Sequence, residues 1–139
     1  MKRRNFPKRS IRERILSMPN RDKKILIVDD FGKTAKIIVE MLDHLRVPSE
    51  SVENSEQAFL KLRECDYDLV IADSRMPKVN GVSLLKQIRQ TKPATKIALM
   101  STFDSAGTQR MVATDGIDYY LPKPVKLSHL EKIIADLSK

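Results

Sequence analysis

Four short stretches of this sequence carry side chains that could act together on a phosphate group. Asp73 directly follows Leu69 to Ala72, an apolar run of strand length. Asp29 and Asp30 follow a second such run, Ile25 to Val28; Ser101 and Thr102 follow a third; and Lys123-Pro124 follows Asp118 to Leu121. Three carboxylates within about 5 Å of one another repel by several kcal/mol at an effective dielectric near 20, so such a cluster calls for a cation. Oxygen ligands without a nearby His or Cys suit Mg²⁺, which takes one or two carboxylates, waters and a phosphate. A hydroxyl donor and an ammonium beside a metal-bound carboxylate make a receptacle for a phosphoryl group.

These residues can meet only if the runs that deliver them lie side by side. From Lys23 the pattern alternates strand and helix: a strand over Lys23 to Asp30, a helix over Thr34 to Leu45, and a weakly marked strand near Ser49 to Glu53. A helix through Glu64 follows, with Ser55 as its expected N-cap. The strand before Asp73 leads into a helix over Val82 to Gln90, and a fourth strand spans Lys96 to Ser101. A less regular helix is expected over Ser105 to Thr114, then a strand over Asp118 to Leu121. A last helix carries Leu127, Leu130, Ile133, Ile134 and Leu137, with Ser128 and Glu131 at capping-box spacing. Apolar runs without alternation belong in a parallel sheet covered on both faces. Five strands alternating with five helices therefore predict a doubly wound parallel α/β sheet. In strand order 2-1-3-4-5 the switch point lies between strands one and three, so Asp29, Asp30 and Asp73 would converge there.

At 139 residues the chain fits one domain. Its single cysteine, Cys65, cannot pair within the chain, which suits a reducing compartment and makes cytoplasm the expected location. No apolar run approaches the roughly 18 residues of a membrane span. The net charge of +8 is local: residues 1–24 hold ten Lys or Arg and two acidic residues, and the remainder is balanced. The expected organisation is a basic arm over 1–22 and a folded body over 23–139. Two readings of the arm stay open, a loosely docked segment and an electrostatic tether to an acidic surface such as nucleic acid, an acidic protein or a membrane.

From about Lys23 to Leu137 the chain resembles a response-regulator receiver domain, the phospho-acceptor half of two-component signalling. The resemblance rests on Val28-Asp29-Asp30, on Asp73 followed by Met76-Pro77 and Asn80-Gly81, and on Ser101, Tyr120 and Lys123-Pro124, all in order and spacing. It implies a flavodoxin-like (βα)5 fold and phosphorylation of Asp73. It further implies Mg²⁺ held by Asp30, Asp73 and the Arg75 carbonyl, with Asp29 acting through water. Lys123 would pair with phosphoryl oxygens, and Ser101 would bond the phosphoryl group while Tyr120 rotates. That change would alter the face made by the 105–114 helix, the fifth strand and the last helix. The implied partners are a sensor histidine kinase or histidine phosphotransfer protein, and a separate effector protein reached by contact. Such a domain is not a turnover enzyme; it phosphorylates itself from a donor and dephosphorylates itself. Arg75 and Phe103, two residues beyond Asp73 and Ser101, are expected at the pocket mouth, where their bulk would slow hydrolysis by excluding water.

Departures from the family pattern are Phe31 after the acidic pair, Thr102 where Ala or Gly is usual, and the weak second strand. Rival readings are poorer. Gly32-Lys33-Thr34 resembles the end of a phosphate-binding loop, but the first glycine of that motif would fall at Ile27, inside a strand. An aspartate-based phosphohydrolase needs an acid two residues after its nucleophile, where this chain has Arg75. A receiver-like binding module that takes no phosphate would have lost pocket residues that this chain keeps. His44 and His129 are expected at the surface, and Met41, Met76, Met100 and Met111 in packing.

Overall fold

Apolar runs at Ile25–Val28 (β1), Leu69–Asp73 (β3) and Lys96–Ser101 (β4) form the centre of a five-stranded parallel sheet. Ser49–Val52 (β2) and Tyr119–Pro122 (β5) are its edges, giving the order β2-β1-β3-β4-β5. The computed structural model describes residues 24–30, 32–76, 80–102 and 116–138. The basic arm, the helix expected over 105–114, Phe31, Phe103 and Met111 lie outside the described residues.

Alternate residues of each strand point to opposite faces, and each face has its own core. Ile25, Ile27, Leu69, Ile71, Ala98 and Met100 pack under Lys33–His44 (α1) and Leu127–Leu137 (α4). Leu26, Val28, Val70, Ala72, Ile97 and Leu99 pack under Ser55–Glu64 (α2) and Gly81–Thr91 (α3). The helices present apolar residues at i, i+3 and i+4 toward the sheet, as Ile38 and Leu42 do from α1 and Leu84, Leu85 and Ile88 from α3. The expected doubly wound sheet and its strand order are therefore observed.

Helix ends differ from the sequence reading by a residue or two, and each shift has a hydrogen bond behind it. Asn54, not Ser55, caps α2: its Oδ1 accepts from Gln57 N at 2.8 Å, and its backbone is extended. The Ser128/Glu131 box is not the cap of α4, because that helix already starts at Leu127. The Lys126 N–H donates instead to His129 Nδ1 at 3.2 Å, so a histidine expected to be a plain surface residue closes the first turn. α1 ends with Arg46 at φ 60, where its N–H and that of Val47 donate to Asp43 O and Leu42 O.

The polar edge strand β2 is secured by side chains at the end of the sheet opposite Asp73. Glu50 accepts from Tyr67 Oη at 2.8 Å and pairs with Lys24 at 3.2 Å and Lys61 at 3.5 Å. The Tyr67 hydroxyl first, then the two ammonium groups, hold the Glu50 carboxyl below its usual range against the opposing cost of burial. A depressed folded-state value means that Glu50 adds stability above the ordinary Glu range near 4.3, and that this is lost as pH falls through the lower folded value. Glu50 is more than a third exposed. Its contribution is therefore screened to about 0.5 kcal/mol. Glu50→Gln should lower Tm slightly at pH 7, and the difference from wild type should shrink by pH 3, as read by thermal melts. An equal loss at both pH values would show that the carboxylate charge is not what holds the strand.

Candidate functional site

Because β1 and β3 pair directly, with Val28 opposite Ala72, the residues that follow them emerge together at the carboxyl end of the sheet. Asp29, Asp30 and Asp73 each offer a carboxylate oxygen, all within 4.8 Å of one another. Asp29 and Asp73 are almost fully buried, at 2% and 4% exposure, and Asp30 is half-buried. Burying like charges in this way is costly, and their retention points to a ligand.

Each carboxylate is held differently. Asp29 Oδ2 accepts from the Ala35 N–H at 3.2 Å, one of the free donors in the first turn of α1. That helix has Gly32 at its N-cap in a left-handed conformation, with no side-chain cap of its own. Asp73 is the last residue of β3, paired with Met100, and its two oxygens have separate partners. Oδ1 accepts from the Arg75 N–H at 3.0 Å, and Oδ2 accepts from Lys123 Nζ at 2.5 Å. Asp30 Oδ1 is buried and accepts no hydrogen bond among the described residues. A carboxylate oxygen so placed is short of a positive partner.

The site's other wall comes from β4 and β5. Ser101 ends β4, is buried at 3% exposure, and lies opposite Pro122 in the sheet. Its carbonyl accepts from the Lys123 N–H at 2.8 Å and from Tyr120 Oη at 3.5 Å. One peptide oxygen thus joins the lysine loop, the tyrosine and the end of β4. Lys123-Pro124 is a cis peptide. The neighbouring Tyr119 packs on the α1/α4 side of the sheet, and its hydroxyl meets Asp136 of α4. Arg75 and Thr102 are exposed. The structure thus brings together Asp29, Asp30, Asp73, Lys123 and the Arg75 backbone, with Ser101 and Tyr120 meeting at the Lys123 loop. Sequence reasoning missed the Ala35 and Arg75 amides, because backbone donors have no residue signature.

The donor set fits a hard divalent cation. All candidate side-chain ligands are oxygens, one is buried with no hydrogen-bond partner among the described residues, and their spread is close to the roughly 4.2 Å across an octahedral Mg²⁺ shell.

A flavodoxin-like sheet with a carboxylate pocket at its switch point defines the class of this domain. The family model for the response regulator receiver domain matches residues 25–135, and the chain belongs to that family. The response regulator protein PilR of Pseudomonas aeruginosa is 30% identical over 81% of this chain, which spans a quarter of that relative's length. Chemotaxis protein CheY-3 of Vibrio cholerae is 28% identical, covering 81% of this chain and 89% of CheY-3. Among solved structures, the receiver domain of Francisella response regulator 1452 superposes with a TM-score of 0.74 at 27% identity, over 84% of this chain and 99% of that one.

Proposed function

We propose that this receiver domain accepts one phosphoryl group on Asp73 and uses it to alter a surface read by another protein. The observation that carries the reading is the position of Asp73, whose oxygens meet Lys123 Nζ and the Arg75 N–H beside two further carboxylates. In the transfer, an Asp73 oxygen attacks phosphorus while the bond to the donor's leaving group breaks, and little covalent machinery is required beyond positioning and charge neutralisation. Asp30, Asp73 and the Arg75 carbonyl would hold Mg²⁺, with Asp29 reaching it through water. The ion would offset the charge that accumulates on the phosphoryl oxygens. Lys123 leaves its pairing with the Asp73 oxygen to bond those oxygens.

Ser101 would then bond the phosphoryl group. Since its carbonyl also holds the Lys123 loop and Tyr120, a shift there reaches β5 and α4. This is a population shift, limited to what the phosphoryl group binds differently in the two states. The donor would be a phosphohistidine on a kinase or phosphotransfer protein, and the recipient of the signal a separate effector. Turnover of free substrates is not part of this reading. The test is incubation with a small phosphodonor, with and without Mg²⁺, read by intact mass. Incorporation that persists when Mg²⁺ is chelated, or none at all, would overturn the proposal.

Arg75 and Phe103 are proposed to slow loss of the phosphoryl group by keeping water out of line with it. Arg75 is exposed directly beside the acceptor. Decay of labelled protein should be several-fold faster in Arg75→Asn and Phe103→Glu, since alignment of the water supplies much of the achievable rate. Equal or slower decay in both variants would remove these residues from that role.

A further inference from the structure

Beyond the groups that would touch the phosphoryl, we infer that Gly81 is a positioning residue that sets the location of the Asp73 peptide; this rests on Asp73 being the acceptor. Gly81 opens α3 and is buried. Its backbone is not in the left-handed region, so the need for glycine does not come from φ. It comes from space. A Cβ at position 81 would fall onto the carbonyl oxygen of Asp73, with the Asp73 carbonyl carbon at 2.8 Å and Ser74 Cα at 3.0 Å. Every nearest atom belongs to the acceptor's own backbone or the residue after it, and none is a flexible side-chain tip.

The contact is held from both sides. Ser74 N donates to Met100 O at 2.8 Å, fixing the end of β3 against β4. On the other side, Asn80 Oδ1 accepts from Val82 N at 2.8 Å and its carbonyl accepts from Leu84 N, fixing the start of α3. Neither partner can yield without breaking a hydrogen bond. A methyl group at 81 must therefore rotate or push the Asp73 peptide, and the Arg75 N–H that bonds Asp73 Oδ1 moves with it. Displacement of a reacting group by about 1 Å costs on the order of 10²-fold in rate. Asn80-Gly81, one of the pairs that carry the family resemblance in the sequence, is on this reading part of the apparatus that aims the acceptor.

The experiment compares wild type, Gly81→Ala and Ile88→Val, the last trimming a fully buried contact of the same helix away from Asp73. Phosphorylation by a small donor with Mg²⁺ is measured alongside melting and the backbone amide resonances of Ser74 and Arg75. The expected result is a cooperative melt for Gly81→Ala, labelling about 10²-fold slower, and shifted Ser74 and Arg75 amides. Ile88→Val should lower Tm while keeping the wild-type labelling rate and both resonances. Labelling of Gly81→Ala at the wild-type rate, an equal loss of rate in Ile88→Val, or loss of the Gly81→Ala fold would each overturn the inference, the last by placing the cost in the core. If wild type itself takes no phosphoryl group, the acceptor assignment fails, and the two amide resonances still report whether the methyl group displaces the peptide.

Discussion

Asp73→Asn is expected to abolish phosphoryl incorporation while leaving a folded domain. A neutral amide offers no anionic nucleophile, so transfer should slow by at least about a hundredfold. Asparagine has the same size and shape, and its oxygen can still accept from the Arg75 N–H that Asp73 Oδ1 meets at 3.0 Å. The variant therefore removes chemistry with little change in packing. The other carboxylates are poor substitutes. Asp29 Oδ2 is engaged by the Ala35 N–H, and neither Asp29 nor Asp30 has the Lys123 ammonium that Asp73 has. Intact mass after exposure to a small phosphodonor and Mg²⁺ should show one added phosphoryl group on the wild type. Hydroxylamine should release it, as it does an acyl phosphate. Undiminished labelling of Asp73→Asn would remove Asp73 as the acceptor, and peptide mapping would then locate the true one.

The second large effect is a crossover in stability. Without a divalent ion the three clustered carboxylates repel, and two unit charges 4.8 Å apart at an effective dielectric of 20 cost about 3.5 kcal/mol before solvent screening. Lys123 offsets part of this through Asp73. Asp30 is only half-buried, so the part recoverable by neutralising it is nearer 1 kcal/mol. Asp30→Asn should therefore melt higher than wild type in EDTA, by about 4 °C for a domain of this size. Adding Mg²⁺ should reverse the order. Wild type gains stability by mass action, whereas the variant has lost the carboxylate oxygen with no other partner among the described residues. Thermal melts with EDTA and with millimolar Mg²⁺ read both halves. If Asp30→Asn is less stable than wild type in EDTA, or gains as much from Mg²⁺, the carboxylate cluster is not the ion's site.

The parts of the fold that could be read from the sequence are those whose burial leaves no choice. β1, β3 and β4 are covered on both faces, so their runs are continuous and apolar, and the chemistry-bearing residues simply follow them. β2 has one residue, Val52, in the core; its other positions are polar, and it is held through its own Glu50 by Lys24, Lys61 and Tyr67, from three separate stretches of chain. No local pattern encodes such a contact. The caps shifted for a similar reason, since Asn54 and His129 act through geometry that several neighbouring residues could have supplied. Within the pocket, residue type and spacing pointed to Asp29, Asp30, Asp73 and Lys123. The amides of Ala35 and Arg75 that orient the carboxylates have no signature in residue identity.

The polarity that made β2 hard to read also bears on how copies of this protein behave at high concentration. An edge strand offers unpaired backbone donors and acceptors, and a flat apolar edge recruits other strands. β2 is only four residues long, Ser-Glu-Ser-Val, with a carboxylate in the middle flanked by Lys24 and Lys61. A passing strand would have to displace those ion pairs and desolvate their charges to dock there. Replacing Ser49, Glu50 and Ser51 with β-branched apolar residues would raise the strand's intrinsic propensity, and would also leave a sticky margin open to aggregation.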